Sequence, residues 1–149
     1  MTDELSRVEF DSIFPDEDAC LNIIFEKRYG KWKNVCPDCY KRSQFYKVNA
    51  RKCFACQRCG FQVHPLANTI YHKSATPLKT WFYAIYLFAR NNRISAKELQ
   101  RMLNISYKTA WRMLDQIKQV HDLPEETPSK LIEINAEYIR KHISRLHGK

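Results

Sequence analysis

The sequence predicts a small α+β chain, in which a four-cysteine zinc ribbon of short antiparallel strands is followed by a helical helix-turn-helix domain. Three observations carry this. Two Cys-x-x-Cys pairs, Cys36/Cys39 and Cys56/Cys59, are separated by sixteen residues, the knuckle spacing of a zinc ribbon. Apolar residues recur at helical spacing after residue 77. A chain of 149 residues divided into modules leaves each too small to rest on burial alone, so a covalent or metal staple is expected. The expected division is an N-terminal helix and ribbon over 10–73, a helix-turn-helix over 74–121 and a third segment over 122–149.

Within the first unit, Cys20, Ile23, Ile24 and Lys27 follow helical spacing, and Cys20 reads as a small core residue. The knuckles are Cys36-Pro37-Asp38-Cys39 and Cys56-Gln57-Arg58-Cys59-Gly60, with strands expected over Gln44 to Val48 and Arg51 to Ala55 and Asn49 in the turn. Zinc takes four thiolates in a tetrahedron, and each tight Cys-x-x-Cys loop offers two. Cys53 creates an overlapping pair with Cys56 and is the alternative ligand. Cys56 with Cys59 is preferred because Gly60 allows the positive φ that closes such a knuckle and Phe54 is placed to cover the metal. Cys53 then reads as a small half-buried residue, and His64 and His72 as ordinary polar ones. Four protein ligands leave no position for water, so the zinc is expected to be structural.

In the second unit, Thr76 and Pro77 read as cap and first residue of a helix whose apolar face, from Leu78 to Phe88, is wide enough to require burial. After the polar break Asn91 to Ile94, Ser95-x-x-Glu98 is a capping box opening a short helix with Leu99 and Leu103 on one side. Asn104 suits the left-handed position that ends it. Ile105 packs back, Ser106 caps again, and a third helix runs to about Val120 with Ala110, Met113, Leu114 and Ile117 inward. Helix, tight turn and second helix outline a helix-turn-helix, which puts the start of the second helix in a major groove. Ser106, Tyr107, Lys108, Thr109 and Arg112 are therefore candidates for base and phosphate contact, Arg112 bridging two acceptors of a guanine. Trp111 is expected to pack half-buried against the aromatic helix.

Charge points the same way. The chain has 25 Lys+Arg against 16 Asp+Glu, a formal +9. Residues 1–27 hold eight acids and two bases, whereas from Arg28 to His121 there are eighteen bases and three acids (Asp38, Glu98 and Asp115). Such a density implies a polyanionic partner, and double-stranded DNA is preferred to a membrane surface or a merely solubilising coat. Lys31, Lys33, Lys41, Arg42, Lys47, Arg51, Lys52 and Arg58 would grip flanking phosphates, with Lys73 beyond the ribbon. RNA stays open, with Tyr40, Phe45, Tyr46 and Phe54 as stacking candidates, although hairpin packing explains them more simply. The longest apolar run, Trp81 to Ala89, is nine residues, short of the ~18 of a membrane span. The acidic start, Met1 to Ser6, lacks the regions of an export signal, so a reducing, cytoplasmic location and metal-bound cysteines are expected. The acidic first 27 residues are expected to fold back on the basic centre and weaken non-specific binding.

The motifs run in order: Phe14-Pro15-Asp16-Glu17-Asp18-Ala19-Cys20, the two knuckles with Gly60-Phe61-Gln62, Asn68-Thr69-Ile70, Pro77-Leu78-Lys79-Thr80-Trp81-Phe82, and Ile105 through Leu114. Over residues 10–120 this order resembles the N-terminal half of bacterial insertion-sequence (ISXO-like) transposases, which carry a zinc ribbon and helix-turn-helix ahead of a DDE nuclease domain. The resemblance implies binding to the terminal inverted repeats of a mobile element. It also implies that 122–149 is a linker and the start of a ribonuclease-H-like domain, where three acids would hold two metal ions. There the sequence departs. The family's first catalytic aspartate lies in a strand reading roughly Val-Glu-Val-Asp-Glu-x-Tyr-Ile-Gly-Gly, and here Ile132-Glu133-Ile134 leads to Asn135-Ala136-Glu137-Tyr138-Ile139-Arg140-Lys141. Asn135 is uncharged and a poor magnesium ligand, and no second or third carboxylate of the triad is expected between it and Lys149. The expectation is a vestigial start and a non-catalytic, transposase-derived, nucleoid-associated DNA-binding protein. An intact transposase or a second copy of the chain is its further expected partner. The alternatives are the DNA-recognition subunit of a split transposase and a ribbon used for protein contact, the latter favoured by exposure of residues 81–88.

Overall fold

The structure, a computed structural model, describes residues 7–30, 35–72, 74–124, 126–127, 138–139 and 141. Helices α1 (Arg7–Ile13) and α2 (Glu17–Tyr29) precede a three-stranded antiparallel sheet of β1 (Phe45–Lys47), β2 (Phe54–Cys56) and β3 (Gln62–Val63), in that spatial order. Phe45 lies opposite Cys56, and Phe54 opposite Val63. Helices α3 (Leu78–Arg90), α4 (Ala96–Leu103) and α5 (Tyr107–His121) follow. The two expected strands are present but shorter, and β3 is an addition to them; a two-residue strand has no periodicity to detect.

Aromatic side chains join these elements into one core. Phe10 of α1 lies 4.9 Å from the ring of Tyr83 and 5.4 Å from Tyr86, and Phe14 meets the edge of Phe82 at 5.3 Å. Phe25 of α2 stacks on Phe54 of β2 at 4.3 Å, so Phe54 ties the ribbon to the helix. Tyr71 meets Trp81 edge-on at 5.4 Å, and the Trp81 indole N–H donates to Ser74 Oγ. Every α3 residue from Trp81 to Phe88 is buried, as the width of its apolar face requires. Arg28, counted among the basic residues of the centre, donates to the carbonyls of Pro65 and Ala67 at 2.7 and 2.6 Å and pins the loop after β3.

The acidic N-terminal segment meets the basic centre, with Asp11 3.3 Å from Lys79 and Asp18 3.7 Å from Lys47, and it is also part of the fold. Phe10, Phe14, Cys20, Leu21 and Ile24 from this segment are core residues. Helix α3 is capped differently from what the sequence predicts. Its N-cap is Pro77, which has no side-chain acceptor, and the Glu17 carboxylate of α2 takes over, accepting from Leu78 N at 2.7 Å and Lys79 N at 2.8 Å. A carboxylate there satisfies two orphan donors and faces the positive end of the helix dipole.

Around the α4–α5 turn the local signals hold. Ser95 and Glu98 form the reciprocal capping box of α4. Asn104 ends it in the left-handed region at φ 57°, its N–H donating to Gln100 O. Ser106 Oγ accepts from Thr109 N at 3.1 Å to start α5, and Ile105 packs against the core between them. Near the other end of the chain, Ile139 is fully buried in the same core, and Lys27 Nζ lies 4.9 Å from the Tyr138 ring.

Candidate metal centre and nucleic-acid interface

The ribbon brings Cys36, Cys39, Cys56 and Cys59 together, with all four Sγ atoms within 4.8 Å of one another. Cys36 Sγ and Cys59 Sγ, from opposite knuckles, are 3.8 Å apart. Sulfurs ~2.3 Å from a tetrahedral zinc lie ~3.8 Å from each other, so the donor set fits that ion in number, softness and spacing. The knuckles are built alike. Tyr40 N and Gly60 N donate to Cys36 O and Cys56 O, each at 2.9 Å, and Asp38 N and Arg58 N donate to Cys36 Sγ and Cys56 Sγ, each at 3.4 Å. Each loop closes on a left-handed residue, Gly60 at φ 81° and Tyr40 at φ 60°. Nothing lies within 4 Å of a Cβ built on Gly60, so glycine there eases the left-handed conformation and is not required for space.

The four sulfurs do not ionise alike. Burial pushes the Cys56 thiol up, but the Ser43 hydroxyl at 2.9 Å and the N–H groups of Cys59 and Arg58 outweigh it and bring the group down to about 6. At Cys59 the Phe61 N–H lowers the pKa, while desolvation and the sulfurs of Cys56, Cys36 and Cys39 raise it to about 12. One proton leaves readily and another is held by the crowding, which is the situation a bound dication relieves. Zinc, when bound, supplies a cross-link between the knuckles. Among the described residues, Cys53 is buried outside this set, and His64 and His72 are exposed and outside it too. Cys20 is buried, its thiol pushed up to about 12 first by burial and then by Glu17.

The basic residues sort into spent and free. Lys47 faces Asp18 and donates to Val48 O, and Lys79 bonds Pro15 O beside Asp11; Arg58 uses only Nε, on Arg42 O across the ribbon, and stays exposed. Of these, Lys47 is expected from sequence in the phosphate grip and is instead a structural bridge between β1 and α2. Exposed on the ribbon are Lys41, Arg42, Arg51, Lys52 and Arg58; on the helical side, Arg93, Lys97, Arg101, Lys108, Arg112 and Lys118. An open groove lined by Lys97, Gln100, Arg101, Asn104 and Ile105 runs beside the α4–α5 turn. Ser106, Tyr107, Lys108 and Arg112 are exposed at the start of α5, and Thr109 is half-buried, its hydroxyl held by Ser106. Lys31, Lys33 and Lys73 lie outside the described residues, as do Glu133, Asn135, Ala136, Glu137 and Arg140.

Trp111 corrects the sequence reading. It is 56% exposed, because Ala110, Met113, Leu114 and Ile117 fill the buried face of α5 and Trp111 falls on the opposite side. Tyr40 and Tyr46 are exposed, whereas Phe45 packs against the core and Phe54 is part of it. The apolar surface of α3 from Trp81 to Phe88 is buried.

Comparison with known proteins agrees with this architecture. Residues 15–62 match the family described as "Transposase zinc-ribbon domain", a span that contains α2, β1, β2 and both knuckles. A protein of Halobacterium salinarum, described as an uncharacterized protein in transposable element ISH50, is 28% identical over 133 residues. That alignment covers 85% of this chain and 43% of the relative, so the chain spans less than half the length of the curated relative it matches. No solved structure matches significantly. Among the described residues no helix is long and apolar enough to cross a membrane.

Proposed function

We propose that this chain is a transposase-derived DNA-binding protein in which α4 and α5 act as a helix-turn-helix. The start of α5 would read duplex DNA of terminal-inverted-repeat type while the zinc-clamped ribbon grips flanking phosphates. The observation that carries the reading is the exposed, cation-bearing start of α5, with Lys108 and Arg112 one turn apart directly after the Asn104–Ser106 turn. Exposed Lys52 and Arg58 on the ribbon support the grip, and Lys73 is its proposed extension. The transposase ribbon match and the insertion-sequence relative favour DNA over other polyanions.

These residues bind without cutting, on this reading. Asn135 and Ala136 replace the carboxylates that the resemblance leads one to expect, and an amide cannot supply the charge that holds a catalytic magnesium. The same Asn135 and Ala136 are compatible with a second reading, in which the chain is the DNA-recognition part of an assembly whose catalytic acids lie on another polypeptide. Selection of bound duplexes from a random pool, using zinc-loaded protein, tests the shared part of both readings. An enriched motif is expected, and an unenriched pool contradicts it. Strand cleavage by the isolated chain with magnesium would exclude a non-cutting role.

A further inference from the structure

Helix α5 presents two aromatic rings to solvent. Tyr107 is 52% and Trp111 56% exposed, and Met102 at the end of α4 is 45% exposed. At about 100° per residue, Tyr107, Lys108, Trp111, Asp115 and Arg112 share one side of α5, with the buried residues on the other. Tyr107 and Trp111 form an aromatic stripe beside the buried face, and Lys108 and Arg112 form a parallel cationic stripe about 100° further round the helix. Asp115 is the acid on this side; it sits two turns in and accepts from Gln119 Nε2 at 2.9 Å, leaving the first two turns cationic.

We propose that Tyr107 and Trp111 form an apolar wedge that packs on thymine C5-methyl groups in the major groove while Lys108 holds phosphate and Arg112 holds guanine. The proposal rests on the DNA reading above and makes it specific: the recognised duplex carries thymine at the positions the wedge meets. The C5-methyl of thymine is the apolar group that base edges offer in the major groove, and rings that flank a cationic stripe are brought to it by the attraction of those cations for the backbone. A polar or purely cationic helix face would have no use for that methyl.

The test substitutes uracil for thymine, one position at a time, in the duplexes recovered from the random pool; this removes only the methyl and leaves the protein untouched. Wild-type protein is expected to lose about threefold to tenfold in affinity at one or two positions. Trp111→Ala, which removes a ring that is more than half exposed, is expected to keep the wild-type melting temperature within a few degrees, to bind more weakly and to be indifferent to uracil there. Trp111→Phe should keep part of the sensitivity. Wild-type protein that tolerates uracil everywhere overturns the wedge and leaves the DNA reading standing, whereas failure to bind any duplex at low salt overturns both. If Trp111→Ala changes self-association or single-strand binding but not duplex affinity, the rings serve another partner and the wedge is wrong.

Discussion

Glu17 does two jobs at one position: it opens α2 and it caps α3 through both carboxylate oxygens. Glu17→Ala should cost about 1–2 kcal/mol in a denaturant melt, and Glu17→Gln, which keeps one acceptor but no charge, should cost less. No window of sequence could show this contact, because its partners are sixty-one and sixty-two residues apart; the proline at the cap was the signal that an acceptor had to come from elsewhere. Cys20 offers a second residue-scale prediction. Its folded pKa is raised, so the native state holds a proton that the unfolded thiol releases. The stabilisation is complete below the ordinary thiol pKa of 9.0 and disappears as pH rises toward about 12. Between those limits the melting temperature of wild-type protein should fall more steeply with pH than that of Cys20→Ala.

At the scale of elements, the ribbon and the α4–α5 pair were the most legible parts, because their information is local. Knuckle spacing, Gly60, the Ser95/Glu98 box and Asn104 each act within a few residues, and each appears in the structure. The short α1, the two-residue β3 and the outward Trp111 were not legible. Helix α1 is held by packing on distant α3, β3 is too short to show a periodicity although it pairs with neighbouring β2, and Trp111 turns outward because smaller neighbours already fill its helix's buried face. The cysteine assignment gives this scale its prediction. Cys59→Ser should lose stoichiometric zinc, whereas Cys53→Ser should retain it, read by metal analysis of purified protein. Chelation should lower the melting temperature by about 10 °C or more, with loss extending beyond the ribbon because Phe54 and Val63 belong to the shared core.

For the whole molecule, one aromatic core fastens a small metal-clamped sheet to a helical array, so the ribbon's cations and those of α5 are carried by one folded body. Electrostatics then decides how the molecule behaves. The net charge of +9 understates it, since the acids near the N-terminus partly neutralise Lys47 and Lys79 while the exposed cations stay free for a partner. Lys108→Ala should weaken DNA binding on every sequence alike and shallow the dependence on log salt by about one. Reading this surface from sequence overcounted it, because Arg28, Lys47 and Lys79 serve the fold. The most direct test of the account is a titration of zinc-loaded protein with a recovered duplex at two salt concentrations. With about six phosphates contacted, affinity should fall on the order of a thousandfold between about 50 and 200 mM. A flat response, or no binding at the lower salt, would contradict it.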